Sequence, residues 1–276
     1  MTKHPTSSNS TTRLLWLTDL HLDSTSRVGL KHITNEMAQS NHHAAVVTGD
    51  ISSAPHLCDH LEILASACLP RPLYFVLGNH DFYGDFIFHT YQQVSRLCRS
   101  IPNLFFLDKI GPVPIGDDAA LVGHSGWADA GCGWGTKTVI HTPDHNCIRD
   151  FQQLSTEARF RRMQDLGRQS VKSVRKKLFT AFRTHKHVVV ATHVPPFPST
   201  AMYEGKPCGP CHQPHFINVG MGAMLIAVAH NNPTRRITIL SGHTHSAARQ
   251  SILANLHARV GHTRTGNPQV QEILYI

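Results

Sequence analysis

Short apolar runs alternate with longer amphipathic stretches along this chain, and the two periodicities predict strands and helices in turn. Residues 13–18 (RLLWLT), 44–48 (AAVVT), 73–77 (LYFVL), 187–191 (HVVVA) and 237–240 read as buried strands. Shorter strands are expected over 104–107, 113–115 and 119–122, separated by turn signals such as Gly116-Asp117. Three more follow at 247–253, 256–260 and 269–275. Helices are expected over 29–40, 56–68, 86–98, 155–184 and 218–230. In the second of these, Leu57, Leu61, Leu64, Ala65 and Cys68 form one stripe. In the long fourth helix the apolar face carries Met163, Ser170, Val174, Leu178, Ala181 and Phe182.

Two stretches lack periodicity. Residues 123–150, rich in Gly, His and Trp, read as a variable insertion, and 195–216, rich in Pro, Cys and His, as a long loop. Irregular segments of this length in a compact protein are often functional. Strand and helix alternate at first and the chain ends on consecutive strands. This argues for a mixed-sheet α/β protein with one domain over 13–276, preceded by a disordered polar leader over 1–12.

Composition narrows the picture only a little. No apolar run reaches the length of a membrane span, and the leader lacks the apolar core of a secretory signal, so a cytoplasmic protein without membrane contact is expected. Seven scattered cysteines are not a disulfide framework. The formal net charge is +8, and residues 149–186 hold 11 Lys/Arg against 3 Asp/Glu, a surplus equal to the net charge of the whole chain. Such a segment suits an anionic partner, or is a solvated helix face.

Candidate chemistry sits at the strand ends, where α/β sheets place their ligands. The clearest case is SGHTHS, residues 241–246. In an extended chain His243 and His245 would point to the same side. By itself the pair means little: with 22 His in 276 residues about two H-x-H pairs arise by chance. His185 and His187 form the other, at the opposite end of their strand from His193, and read as surface histidines. Five strand ends, however, stop in metal-capable groups: Asp19 and His21, Asp50, Asn79 and His80, His193, and His243 with His245.

The order Asp19-x-His21, Gly49-Asp50, Gly78-Asn79-His80-Asp81, Thr192-His193 and Gly242-His243-x-His245 resembles the calcineurin-like metallophosphoesterases. The complete set is most similar to the bacterial cyclic-nucleotide and nucleotide phosphodiesterase branch. The likeness covers 13–81 and 187–250; residues 82–186 correspond to the variable middle. It implies a four-layer α/β/β/α sandwich, two mixed β-sheets flanked by helices. It also implies two divalent or trivalent metal ions, Mn, Fe or Zn. Asp50 would bridge them, Asp19, His21 and His245 completing one position and Asn79, His193 and His243 the other. Mixed imidazole and carboxylate donors suit such borderline ions better than Ca²⁺. The implied activity is hydrolysis of a phosphate ester, a phosphodiester or nucleotide in preference, by a hydroxide activated between the metals. His80 would protonate the leaving group and Asp81 would orient His80.

The partner expected is an anionic phosphate-ester small molecule or nucleotide. A nuclease using the basic segment to track nucleic acid, a phosphomonoesterase, and a non-catalytic scaffold are the rival readings. Asp23 and Thr18 read as local turn and strand polar groups, with support of the ligand residues as the alternative, and glycines 49, 78 and 242 as turn residues with positive φ. Cys208-Gly-Pro-Cys211-His212 matches the haem-attachment pattern, but neither export nor a porphyrin pocket is indicated. A thiol pair, an added zinc site or a plain loop near the substrate are the readings left. His124, Trp127 and Asp129 leave a strand and could line the cleft.

Overall fold

A computed structural model describes residues 11–276, so the expected leader falls outside the described residues except at its end. There Thr12 exchanges backbone hydrogen bonds with Ile276, and belongs to the sheet margin and not to a leader.

The first half alternates as the periodicity requires: β1 (Arg13–Leu17), α1 (Arg27–Gln39), β2 (Ala44–Thr48), α2 (Ala54–Cys68), β3 (Leu73–Val76), α3 (Ile87–Ser100) and β4 (Leu104–Phe106). The hairpin β5 (Val113–Pro114) and β6 (Ala119–Gly123) leads into the irregular insertion, which holds the short α4 (Asp144–Cys147). After it come α5 (Thr156–Ala181) and β7 (His187–Ala191). The loop expected over 195–216 contains a small hairpin, β8 (Met202–Tyr203) and β9 (Lys206–Pro207), and one turn of helix, α6 (Gln213–Phe216). The chain ends with α7 (Val219–His230), β10 (Arg236–Ser241), β11 (Ala248–Leu253), β12 (Leu256–Val260) and β13 (Val270–Tyr275).

Two mixed sheets result, in the orders β13-β1-β2-β3-β4 and β11-β12-β10-β7-β6-β5. The interior pairings of both sheets are parallel, while β13, β11 and β5 add antiparallel edges. Side-chain alternation along each strand explains the layering. Leu14 and Trp16 of β1 face the second sheet, in an apolar layer shared with Leu121, Val189 and Leu240. Leu15 and Leu17 face outward and pack with Ile33, Leu57, Leu61 and Val94 of α1, α2 and α3. On the far side, Val188 and Val190 of β7 meet Val174, Leu178 and Leu225 of α5 and α7. Three apolar layers therefore separate four layers of secondary structure, the α/β/β/α sandwich.

The helix starts are capped as their sequences suggest: Ser26 accepts from the Gly29 N–H and Ser155 from the Ala158 N–H. The start of α7 is held twice. Asn218 accepts from Met221 N–H, and the Asp129 carboxylate accepts from Val219 and Gly220 N–H, the Gly220 bond at 2.8 Å. Asp129 is thus a helix cap, and Trp127 lies in the core against Phe82 and Phe151. His124 turns to the Asp108 carboxylate, 3.5 Å away. Contrary to that option none of the three lines the main cleft described below, although Trp127 borders a small cavity with Asn79, His193 and His243. Lys177, in the basic segment, points inward and donates to the carbonyls of Leu107 and Gly123 at 2.5 and 2.8 Å. His185 and His187 are half-buried and not free surface groups; His187 lies 2.9 Å from the Thr238 hydroxyl. Among the described residues no helix is long and apolar enough to cross a membrane.

Candidate metal centre

All seven candidate ligands converge where the two sheets present the carboxyl ends of β1, β2, β3, β7 and β10. Ligand atoms of Asp19, His21, Asp50 and His245 lie within 4.8 Å of one another, and those of Asp50, His193 and His243 form a second such group. Asp50 belongs to both. Asn79 adjoins the second group, its Oδ1 3.1 Å from His193 Nε2.

The loops reach this point through unusual backbone. Asp19, His21, Asp50, His243 and His245 all have positive φ, between 43° and 73°. A non-glycine residue in this region is strained by roughly 1 kcal/mol or more, and surrounding contacts must hold it there. His243 and His245 are therefore not on an extended strand: β10 stops at Ser241, and strand alternation does not aim the two rings. The glycines are also not what turn logic suggests. Of glycines 49, 78 and 242, only Gly49, at φ 92°, adopts positive φ. Gly78 and Gly242 are required by space, since a Cβ would come within 2.1 Å of Asp50 Oδ1 and 2.0 Å of Asp19 Oδ2 respectively.

Backbone carbonyls orient two of the rings. His193 Nδ1 is 2.8 Å from the Thr48 carbonyl and must carry a proton there, which turns Nε2 toward Asp50 Oδ1, 3.3 Å away. His243 Nε2 donates in the same way to the His215 carbonyl at 3.0 Å, leaving Nδ1 free. His21 Nε2 and His245 Nε2 approach to 3.0 Å, with Asp50 Oδ2 3.8 Å from the first and Asp19 Oδ1 3.5 Å from the second. Asp19 is itself fixed: Thr18 donates to Oδ2 at 2.6 Å and the His243 N–H to Oδ1 at 2.8 Å. Thr18 is thus a partner of the centre and more than a strand polar group.

Charge is concentrated accordingly. Burial opposes ionisation of Asp50, but His193, then His21 and His80, hold its carboxyl well below the usual range. Burial likewise opposes charge on His193, yet Asp50 and Asp19 raise it to about 10. Two groups of convergent, mostly buried N and O donors sharing one carboxylate fit a pair of cations. Uptake of a cation at His193 would displace its proton.

His80 and Asp81 part company. The His80 ring stands edge-on to His21 with centroids 4.7 Å apart, and its Nε2 is 3.0 Å from Asp23 Oδ2. Against the effect of burial, Asp23 and Asp50 raise its pKa; the same pairing holds Asp23 low in spite of burial. Asp81 does not contact the ring. Its fully buried carboxylate accepts from the backbone N–H of Ile51 and Ser52 at Oδ1 (2.7 and 2.8 Å) and of Gly78 at Oδ2 (2.7 Å). The expectation that Asp81 orients His80 is therefore corrected. Asp23 does so, and Asp81 ties the Asp50 loop to the Asn79 loop. A carboxylate that collects three buried amides on one side cannot also turn back to the ring beside it in the chain.

Two further residues escape sequence reasoning. Asp23 is one in its pairing: the sequence offers it as a local polar group or a support of the ligands, but nothing in its spacing pairs it with His80. The other is Asp144, from the insertion, which accepts from Asn79 Nδ2 at 2.8 Å and from the Tyr83 hydroxyl at 2.7 Å and so turns the Asn79 Oδ1 toward His193. No spacing pattern links Asp144 to the strand ends. The Cys208/Cys211 motif makes no metal cluster among the described residues. Cys208 is packed with Ala201 and Ile217, and burial, with Cys211 and Cys132 nearby, pushes its thiol up to about 11.

The centre opens into a cleft of about 950 Å³. Among the described residues no Lys or Arg lines it, so the surplus of 149–186 is not on its walls.

A family model described as calcineurin-like phosphoesterase matches residues 12–247. No curated protein matches the sequence. Among solved structures, the phosphopantetheinyl hydrolase from Mycobacterium tuberculosis is similar over 94% of this chain and 91% of its own, at 13% identity and a TM-score of 0.66. A dimetal phosphatase from Danio rerio is similar over 91% and 87%, at 13% identity and a TM-score of 0.56. A protein from Thermus thermophilus is similar over 92% and 90%, at 13% identity and a TM-score of 0.52. At these identities the likeness concerns the fold.

Proposed function

This chain belongs to the calcineurin-like phosphoesterases, and from that premise we propose that it hydrolyses a phosphodiester or nucleotide-type ester at a dinuclear metal centre. The observation that carries the reading is Asp50, shared by two separate ligand groups. Asp19, His21, Asp50 and His245 would hold one ion; Asp50, Asn79, His193 and His243 the other. Two cations so held would supply activation of water and neutralisation of charge on the phosphoryl oxygens.

The chain's own residues supply the rest. Thr48 and His215 carbonyls keep the correct ring nitrogens of His193 and His243 free. Asp144 keeps the Asn79 oxygen, not its amide nitrogen, facing the centre. His80 is the proton donor to the leaving oxygen, kept protonated and aimed by Asp23. Its backbone N–H donates to Asp50 Oδ1 at 2.8 Å, which places the ring at the edge of the centre. The lack of Lys and Arg among the described residues of the cleft walls favours a compact ester over a polyanion.

Protein stripped by chelation and reloaded with Mn²⁺, Fe²⁺ or Zn²⁺ should hydrolyse bis-p-nitrophenyl phosphate, with monoesters, cyclic nucleotides and nucleotide diphosphates run alongside. Lack of hydrolysis of every ester under all three metals would refute the reading.

A further inference from the structure

Beside the metal centre, one wall of the cleft is built of rings that the hydrolytic chemistry does not use. Tyr203 of the β8–β9 hairpin lies on His212, with centroids 4.8 Å apart and planes 18° from parallel. Phe216, at the end of α6, is 5.8 Å from Tyr203 and 6.0 Å from His212, at 31° and 22°. Tyr203 and His212 are therefore stacked on one another, with Phe216 packed against both, and the three rings form one continuous aromatic cluster. All three rings line the same cleft as Asp50 and His243. Phe216 meets His243 edge-on with centroids 5.2 Å apart, so the aromatic cluster begins one ring away from a proposed metal ligand.

Two properties define what this surface accepts. Tyr203 is 39% exposed, an apolar face left to the cleft with only its hydroxyl suited to water. Among the described residues no Lys or Arg is within the cleft to meet a second anionic group, so the part of the ester lying here is uncharged. A flat, uncharged group gains from adding to this stack at the partly exposed Tyr203 ring, because offset stacking matches π-faces without requiring a fixed hydrogen-bond pattern. The cleft is at the upper end of the range for small-molecule sites, and has room for a phosphoryl group and a ring together. The hairpin is also tied to the metal loops: Gly205 N–H donates to the Ser246 hydroxyl at 3.4 Å, which sets Tyr203 relative to His245.

We propose that Tyr203, His212 and Phe216 form a stacking subsite for a planar ring, of nucleobase size, carried on the phosphate ester. The proposal rests on the reading of the centre as a phosphoesterase site, and it narrows the substrate class to ring-bearing esters.

The test uses the Mn²⁺-loaded full chain and titrates adenosine 5′-phosphate and ribose 5-phosphate by calorimetry. The two differ only by the base, and binding does not require turnover. Adenosine 5′-phosphate should bind about tenfold more tightly. That advantage should fall to about twofold or less in Tyr203→Ala and in His212→Ala, and return in Tyr203→Phe. A phenyl phosphate arm distinguishes a simple aryl group from a base: tighter binding of phenyl phosphate than of adenosine 5′-phosphate would overturn the nucleobase-sized assignment. Equal affinities for the two ribose phosphates, or an advantage that survives both alanine variants, would overturn the subsite. Base-dependent binding without hydrolysis of any ester would leave the subsite standing and remove the phosphoesterase reading. Hydrolysis without base preference would do the reverse.

Discussion

Replacing Asp81 by Asn and by Ala separates two roles that a carboxylate next to His80 could have. Both variants remove the negative charge, so both remove repulsion from Asp50, which together with burial pushes the Asp81 pKa up to about 7. That relief is common to the pair and cancels in their difference. What differs is the number of amides left without an acceptor. Asn keeps one oxygen where Oδ1 now serves Ile51 and Ser52, but turns its NH2 toward the Gly78 N–H, so those two donors are left without an acceptor. Ala loses all three. A buried donor left unsatisfied costs about 1–3 kcal/mol, and Ala leaves three where Asn leaves two, so Ala should be less stable than Asn by roughly 1–3 kcal/mol. For a chain of this size that is a difference of roughly 2–6 °C in Tm. Guanidinium or thermal unfolding followed by circular dichroism measures it in the metal-free and Mn²⁺-loaded protein. The Asn variant should also retain more metal, because it still joins the two ligand loops. If the two variants unfold within about 0.5 kcal/mol of each other, the cross-loop clamp is refuted. If both lose turnover equally while binding metal normally, Asp81 acts through its charge after all.

Asp50→Asn should lose metal from at least one position and reduce diester hydrolysis at least about a thousandfold, read by metal analysis and a chromogenic assay; wild-type activity would sink the shared-ligand assignment. His80→Ala should keep both metals and slow turnover about a hundredfold, most for poor leaving groups. Asp23→Asn should give a smaller loss of the same character, with no change in metal content; an unaltered kcat would remove Asp23 as the positioning residue. His187 gives a pH test away from the centre. Burial, with Arg236, His257 and Arg259 nearby, pushes its pKa down to about 4. The unfolded chain takes up this proton near pH 6.5 and the folded chain refuses it. The stability associated with neutral His187 is therefore present above about pH 6.5 and lost as pH falls toward 4, by up to about 3 kcal/mol. His187→Gln should flatten the fall in Tm between about pH 7 and 5; a slope like that of the wild type would contradict this account.

The sequence by itself determined the strands, the helices and the donor inventory. Apolar periodicity is local, and a run such as HVVVA or the stripe through Leu57, Leu61 and Leu64 carries its burial pattern wherever it folds. Strand ends carrying Asp, Asn and His could likewise be collected from order alone, because parallel strands deliver their carboxyl ends to one edge. Only the tertiary structure decided how those donors meet. Five of the seven candidate ligands sit at positive φ, a state that no propensity predicts for Asp or His and that exists here because neighbouring loops hold it. Asp81 reads as the partner of the residue beside it, and is claimed instead by amides of the loop after β2. Asp23 and Asp144 find His80 and Asn79 across 57 and 65 residues of chain, through contacts that leave no spacing pattern. The ring wall of Tyr203, His212 and Phe216 is of the same kind. Periodicity records which face of an element is buried, whereas a site built from loop ends depends on long-range packing that is only present once the chain has folded.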